Sequence, residues 1–376
     1  MPSRAESRPA WHIALVITVA LRAFYSAAAA AASGFVHPSG DLIRSNALTM
    51  NLPAPAGLHY AWLGVWERFD TLWYLRIAAR GYDLPQAVVF YPLYPWLIRQ
   101  LSVVVEPVTA ALLISTLASF FFFWGMLVLA RRDLPAPQAL NTVILAAVWP
   151  ASFFFFAGYT EALAAALIVW SIALARDDRW LPATLCAIAA GLTRSVGTLL
   201  IVPLLIMAWN SRSLQTSKQK FAALLAPIGT IAYWLWLRQT GRPSIAEAYR
   251  TYWKTDVAAP WTTLWQAIRS LPGHFDSLVL ISLIALALFS LAGLSSRRRT
   301  EDRFFSAAVV IHLLLRLCWP PLFGTPRYLL PIYPAYQTFA EWTQKASRAR
   351  FILLCAALFA FNLIWMLAFL RWSLVL

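Results

Sequence analysis

Apolar residues in this chain fall in long unbroken runs, not in the one-faced or alternating patterns of water-soluble elements. A helix needs about 20 apolar residues to cross a hydrocarbon core. Runs near that length lie at 11–32, 107–130, 136–157, 160–176, 220–240, 277–295, 304–319, 328–344 and 351–373. The stretch 180–209 is too long for one comfortable span, and Thr193-Arg194-Ser195 interrupts its middle. It reads as two short spans meeting at a polar point. The pattern predicts an all-α polytopic membrane protein of about eleven transmembrane helices. Residues 1–376 form a single membrane-embedded body.

The charges between the runs orient them. With a cytoplasmic N-terminus, the inner loops are Arg131-Arg132, Arg176 to Arg179, Arg212 to Lys220, Arg297 to Arg303 and Lys345 to Arg350. Every short inner loop is then basic, as the positive-inside rule requires, and the C-terminus falls outside. A single span at 180–209 would put Arg212, Lys218 and Lys220 outside, which favours the broken pair. Arg4 and Arg8 ahead of the first run resemble a signal peptide. The run is long for that, so it reads as a retained first span. Two long outer segments remain, 34–106 and 241–276. Long loops are usually functional or disordered, and these are too rich in Trp, Tyr and Phe for disorder. The stretch from Trp66 to Ala79 is patterned as a helix lying in the membrane interface.

Composition agrees with this picture. Of 376 residues, 60% are hydrophobic and 12% charged, with a mean hydropathy of +0.63. Soluble domains carry about 45–50% apolar and about 25% charged residues. A water-soluble enzyme, a disordered tail and a fibrous repeat are thereby excluded. The net charge of +15 is scattered between apolar runs, with no basic stripe for nucleic acid. Topology and contact with anionic membrane lipids account for it. Cys186, Cys318 and Cys355 lie within apolar segments, which argues against a disulfide framework or a zinc site. The histidines are dispersed, without His-x-x-x-His or Asp-x-Asp spacing, so the sequence does not indicate a divalent metal. No Walker A motif is present, which argues against ATP-driven pumping.

The acidic residues narrow the search for chemistry. Glu6, Asp133, Asp177, Asp178, Glu301, Asp302 and Glu341 fall in or near inner loops beside Arg or Lys and read as solvated loop charge. Among the outer ones, Glu67 and Asp70 stand three apart in Trp66-Glu67-Arg68-Phe69-Asp70-Thr71-Leu72-Trp73-Tyr74, a spacing that puts both on one helix face. Aromatic neighbours would desolvate such a carboxylate and raise its basicity. An interfacial amphipathic helix with ordinary salt links has the same pattern. Tyr91 and Tyr94 lie in a Pro- and aromatic-rich bend that either stacks on a sugar ring or caps a helix. Glu161 opens a span after Tyr159, as an exposed or paired charge at a helix start. Arg194 and Arg327 stand at the outer ends of different spans, where Arg binds phosphate or anchors the interface. Arg316, inside the run 304–319, is either a buried ion-pair partner or a sign that the run ends sooner.

In this order, the motifs resemble the PIG-V-like mannosyltransferases, relatives of GPI mannosyltransferase II within the GT-C glycosyltransferases. The Arg-Trp-Asp core of that family corresponds to Arg68-Phe69-Asp70, followed by Trp73-Tyr74 and Ile77-Ala78-Ala79-Arg80-Gly81-Tyr82. The aromatic-Pro-Leu-Tyr-Pro element corresponds to Phe90-Tyr91-Pro92-Leu93-Tyr94-Pro95. The Phe-rich Tyr-Thr-Glu element corresponds to residues 153–161, the Thr-Arg-Ser element to 193–195, and a late Arg-Tyr to Arg327-Tyr328. Phe69 departs from the family's Trp, keeping a ring but losing the indole N–H.

The resemblance implies a GT-C-like helical bundle acting at the extracytoplasmic face. A polyprenyl-phosphate-linked sugar would be the donor and a glycolipid or glycan the acceptor. Transfer would invert the anomeric carbon, with Asp70 as general base. Arg194 or Arg327 would neutralise the donor phosphate. Glu161 with Tyr159 would lie beside the sugar or orient a cation, and Trp73, Tyr91 and Tyr94 would be stacking walls. Glu67, Tyr74 and Tyr328 complete the expected sugar and acceptor site. Three other readings stay open at this stage: a lipid-linked sugar flippase, a non-catalytic assembly subunit, and transfer of an arabinosyl or glucosyl residue.

Overall fold

The computed structural model describes residues 9–35, 57–210, 216–271 and 276–372. Glu6, Asp41, Arg212 and parts of both outer segments, 36–56 and 272–275, lie outside the described residues. The chain is almost wholly helical. It begins with α1 (Ala10–Ser33) and continues from residue 57 with α2 (Gly57–Trp62), α3 (Asp70–Arg80) and α4 (Leu93–Leu101). Then come α5 (Pro107–Asp133), α6 (Ala136–Val148), α7 (Glu161–Arg176), α8 (Trp180–Thr193), α9 (Ile201–Asn210), α10 (Thr216–Leu224) and α11 (Ile228–Gln239). The second outer segment holds α12 (Ile245–Tyr252), β1 (Asp256–Val257) and α13 (Pro260–Arg269). The last part comprises α14 (Asp276–Gly293), α15 (Thr300–Leu314), β2 (Arg316–Leu317), α16 (Thr325–Tyr328), α17 (Tyr333–Trp342) and α18 (Arg348–Leu370). β1 and β2 pair antiparallel, Asp256 opposite Leu317 and Val257 opposite Arg316.

Among the described residues, four stretches are long and apolar enough to cross a membrane: α1, α5, Lys218–Gln239 and α18. α1, with 24 residues, is about 36 Å long. Ala136–Val148, Trp180–Thr193, Ser195–Asn210 and Ser277–Gly293 are apolar but shorter. Leu15, Val16 and Val19 of α1 and Ile352, Leu353 and Ile364 of α18 are exposed. Apolar faces of this extent are unfavourable in water and fit a membrane-embedded protein.

Proline breaks several of the runs read from sequence. The run 136–157 stops as helix at Val148, and Trp149-Pro150 turns the chain into a 3-10 segment, Ser152–Phe155. The run 328–344 begins at the last residue of the four-residue α16 and is helical again only in the ten residues of α17, with Pro331 between them. Proline has no N–H to donate and restricts the residue before it. The run 304–319 ends as helix at Leu314, so Arg316 lies past the helix end and in the β2 pairing.

The stretch 180–209 bends back at its polar point. α8 ends at Thr193, Arg194 is extended, and a 3-10 turn over Ser195–Leu200 leads into α9. In α8, Thr184 donates to the Ala222 carbonyl of α10 at 3.1 Å, so α9 has brought the chain back along α8. Gly197 makes this hairpin tight. A Cβ there would stand 2.1 Å from the Ala190 carbonyl carbon.

The charges between helices are not all solvated, contrary to the sequence reading. Arg176 reaches Asp302 at 2.6 Å, Glu301 at 3.2 Å and Asp133 at 3.3 Å. The Arg176 and Asp302 side chains are only 5% and 1% exposed. Tyr333 donates a further hydrogen bond to Asp302. Arg298 pairs with Glu341 at 2.7 Å. Tyr333 at the head of α17 meets Asp302 and Phe305 of α15, which draws these groups under cover, where charges must be paired. Asp177 does behave as a loop charge, half exposed and paired with Arg132 at 2.8 Å.

Backbone against backbone has no room to yield at Gly197. Gly197→Ala is expected to cost several times the roughly 1 kcal/mol of an average substitution. The check is the melting temperature and monodisperse yield in detergent, and unchanged values would contradict the tight hairpin.

Candidate active site

The segment before α3 is bent by Phe69, whose φ of 47° is a left-handed conformation unusual for a residue with a Cβ. The bend is held from both sides. Arg68 is buried, and its Nε donates to the Leu370 carbonyl at the end of α18 at 2.8 Å. The remaining Arg68 donors reach the Tyr60 hydroxyl at 2.6 Å and the Gly64 and Glu67 carbonyls at 3.2 and 3.0 Å. The Phe69 ring packs against Phe369 and Trp372, centroids 5.6 and 4.9 Å apart. Arg68 is thus a structural clamp and satisfies a carbonyl that the helix end leaves unpaired.

Released from that bend, Asp70 is the first residue of α3. Glu67 lies before the helix, so the shared helix face inferred for the two carboxylates does not exist. The Asp70 N–H donates to the Tyr159 hydroxyl at 3.2 Å. Close packing brings α3 to the turn before α7. A Cβ on Gly158 would meet Thr71 Cγ2 at 2.7 Å. Glu161 then opens α7, so both carboxylates stand at the positive end of a helix.

These two acids meet two guanidinium groups. Arg327 Nη1 donates to Asp70 Oδ2 at 2.8 Å. Its Nε lies 3.2 Å from Glu161 Oε1. Arg194, extended at the hairpin tip, donates to the same Oε1 at 2.5 Å and to the Thr160 hydroxyl at 3.0 Å. The Tyr74 hydroxyl shares that Thr160 contact at 3.2 Å. Arg327 also donates to the Tyr328 hydroxyl at 2.9 Å. Three cations surround the Tyr328 ring, with Arg194, Arg316 and Arg327 at 5.0, 4.5 and 4.9 Å from its centroid. Ring faces attract cations most strongly where water is excluded.

A cavity of about 390 Å³ opens above this network. Of the residues singled out from sequence, Asp70, Trp73, Tyr74, Tyr91, Glu161, Arg194, Arg327 and Tyr328 line it. Trp73 is stacked on Phe90 at 5.5 Å with planes 16° apart, which makes a flat aromatic wall. The other three residues do not line it. Tyr94 is fully buried, and its hydroxyl is spent on the Ala111 carbonyl and Ser115 at 2.9 and 2.8 Å. It fastens α4 to α5 and is no stacking wall. Tyr159 lies beneath the cavity and positions the Asp70 backbone. Glu67 faces away, into a cluster with His59 and Glu106.

Three residues of the second outer segment, Tyr249, Trp253 and Thr255, line the cavity and were missed from sequence. Trp253 Nε1 donates to the Gln86 carbonyl at 3.1 Å, which ties the segments 34–106 and 241–276 together. Ser195, His312, Arg316 and Trp319 also contribute. The charge within the run 304–319 was the one sequence signal for this wall. The aromatic richness of 241–276 was visible, but its docking depends on β1 pairing with β2 across the fold.

The cavity has the features of a site for a small anionic ligand with a ring. Arg194, Arg316 and Arg327 stand against Asp70 and Glu161, leaving one positive charge in excess. No known protein-family model matches the chain, and no curated protein matches it.

Glu67 has its own electrostatics. Burial, and then the charge of Glu106, push its carboxyl up to about 7. Glu106 in turn holds His59 at 2.8 Å and raises the imidazole above its ordinary value. The folded protein holds the Glu67 proton more tightly than the unfolded chain does. Stability therefore falls as pH rises from the ordinary carboxyl range to about 7, and levels off above it. Glu67→Gln is expected to raise the melting temperature at pH 8 relative to wild type and to change it little at pH 4. An equal effect at both pH values would remove Glu67 as the source.

Proposed function

We propose that the protein is an integral membrane glycosyltransferase. It moves a mannosyl residue from a polyprenyl-phosphate-mannose donor to a glycolipid or glycan acceptor. The reaction takes place at the extracytoplasmic face, in a GT-C-like bundle of about eleven spans with a cytoplasmic N-terminus. The observation that carries this reading is Asp70 at the head of α3, opening into an aromatic-walled cavity whose charges leave one cation in excess. The order of motifs along the chain supports it as well.

The charge count suits this donor class. A polyprenyl phosphosugar is a phosphodiester with a single negative charge, so its binding neutralises the cavity. A diphosphate-linked donor would bring one charge more than the excess. Trp73 and Phe90, stacked at 5.5 Å, both line the cavity and offer aromatic surface to a sugar ring, and Tyr74, Tyr91 and Tyr328 complete the walls.

The reaction follows from this arrangement. The acceptor hydroxyl lies against Asp70 and gives its proton to the carboxylate as its oxygen attacks the anomeric carbon. The bond from that carbon to the phosphate oxygen breaks on the opposite face, which inverts the configuration. The bonding pair leaves on the phosphate, whose charge grows as that of Asp70 disappears. The sum of charge in the cavity is unchanged through the step. Arg327, bonded to Asp70, holds the base in place, and the cavity's excess cation faces the new anion. Preorganised cations of this kind stabilise a leaving group without protonating it. Glu161 holds Arg194 and Arg327 in place through one oxygen.

The test uses purified protein in lipid vesicles, supplied with polyprenyl-phosphate mannose and an extract of candidate acceptors. Wild type is expected to transfer mannose, and Asp70→Asn to lose about 100-fold or more of the rate. Tyr94→Phe, which keeps the ring against Tyr74 and loses only a hydroxyl that does not line the cavity, is expected to keep the rate while lowering the melting temperature. Equal transfer by wild type and Asp70→Asn would remove Asp70 from the chemistry. Donor binding with no transfer by either would move the reading towards a flippase.

A further inference from the structure

The reading of Arg194 and Arg327 as phosphate ligands meets a difficulty in the geometry. Both are already engaged, Arg194 by Glu161 at 2.5 Å and Arg327 by Asp70 at 2.8 Å and Glu161 at 3.2 Å. Arg316 is different. Among the described residues no carboxylate lies within ion-pair distance of it, and its Nε is buried without a hydrogen-bond partner. Its guanidinium rests on the Tyr328 ring at 4.5 Å, the shortest of the three cation contacts to that ring. The cavity's excess positive charge is therefore located on Arg316. An unpaired guanidinium in a partly buried site is costly until an anion meets it.

A second feature stands on the same wall. Ser195 Oγ and His312 Nε2 are 3.0 Å apart, and both line the cavity with Arg316. The hydroxyl and a neutral imidazole carry one hydrogen each, and their mutual bond uses one. Where the imidazole donates to Ser195 Oγ, the hydroxyl hydrogen is left to give to a ligand. Ser195 comes from the hairpin tip after Arg194, and His312 from the last turn of α15, four residues before Arg316.

Resting on the transferase reading above, we propose that Arg316 and the Ser195–His312 pair hold the phosphate of the polyprenyl donor. Arg194 and Arg327 then serve to fix Glu161 and Asp70. This division gives the phosphate a cation not held by a carboxylate, plus one neutral donor. It also assigns the leaving group to a cation other than Arg327, the one bonded to the base. Arg316 is the residue that meets the charge growing on the phosphate as the carbon–oxygen bond breaks.

The experiment measures binding of polyprenyl phosphate without sugar to the reconstituted full chain, alongside mannose transfer. Arg316→Gln is expected to weaken binding and raise the donor KM by about 10- to 100-fold, the range for one charge-assisted contact. Arg316→Lys should recover part of the loss because it restores the charge without the fork. Ser195→Ala should weaken binding less, by about 3- to 10-fold for a neutral hydrogen bond. Asp70→Asn supplies the contrast, losing turnover while retaining polyprenyl phosphate. Melting temperatures identify any variant that misfolds, and in that event Arg316→Lys and Ser195→Ala carry the test. Binding by Arg316→Gln equal to wild type overturns the assignment, as does failure of wild type to bind polyprenyl phosphate. Wild type that binds but transfers nothing counts against the transferase reading, while the Arg316 series still decides the phosphate contact.

Discussion

The rest of the site depends on the pairing of Arg327 with Asp70 and Glu161. A charge withdrawn from water must be met by its opposite or it is expelled, and the cost of failing is several kcal/mol per ion. Here that requirement acts across the whole chain. Asp70 heads α3, Glu161 heads α7, Arg194 stands where α8 breaks, and Arg327 lies in the short α16. No two of these elements are neighbours in sequence except α7 and α8. The four side chains can satisfy one another only if the helix ends converge. The cavity is the space that this convergence leaves.

The same rule accounts for the opposite cluster around Arg176. There Asp133, Glu301 and Asp302 face Arg176, and even with Arg299, 2.8 Å from Asp133, three acids stand against two cations. Around Asp70 the balance runs the other way, with Arg316 left over. The Arg176 cluster ties α5, α7 and α15 together and lines no part of the cavity, whereas the Asp70 cluster faces it. The number of charges is similar at both places, and what differs is the sign of the excess.

Much of this was legible in the sequence because burial and polarity leave marks at short range. Apolar runs gave the helices, and the interruption at Thr193-Arg194-Ser195 gave the hairpin. Asp70, Glu161, Arg194 and Arg327 stood out as charges beside apolar or aromatic runs. Failures came where position depends on distant partners. Glu67 resembles Asp70 in composition and spacing, but the positive φ of Phe69 turns the two apart. Tyr94 sits in an aromatic motif, and only its contacts with Ala111 and Ser115 reveal a packing role. The wall formed by Tyr249 and Trp253 depends on β1 meeting β2, a pairing of two residues on each side that no periodicity announces. Asp302 was taken for a loop charge because nothing local shows that α17 covers it.

The clamp formed by Arg68 bears on how the protein is made. Its partner, the Leu370 carbonyl, lies 302 residues later in the chain. A ribosome adding about 5–20 residues per second needs about 15–60 s to travel that distance. During that interval the bend at Phe69 has neither its ring partners nor its guanidinium acceptor. Asp70 likewise waits for Arg327, 257 residues downstream. Contacts of such separation make folding slow and leave half-made sites exposed. The N-terminal end of α3 is therefore made early and receives its last contacts only when α18 is made, and a nascent chain halted before α18 contains every acid of the site without the full clamp.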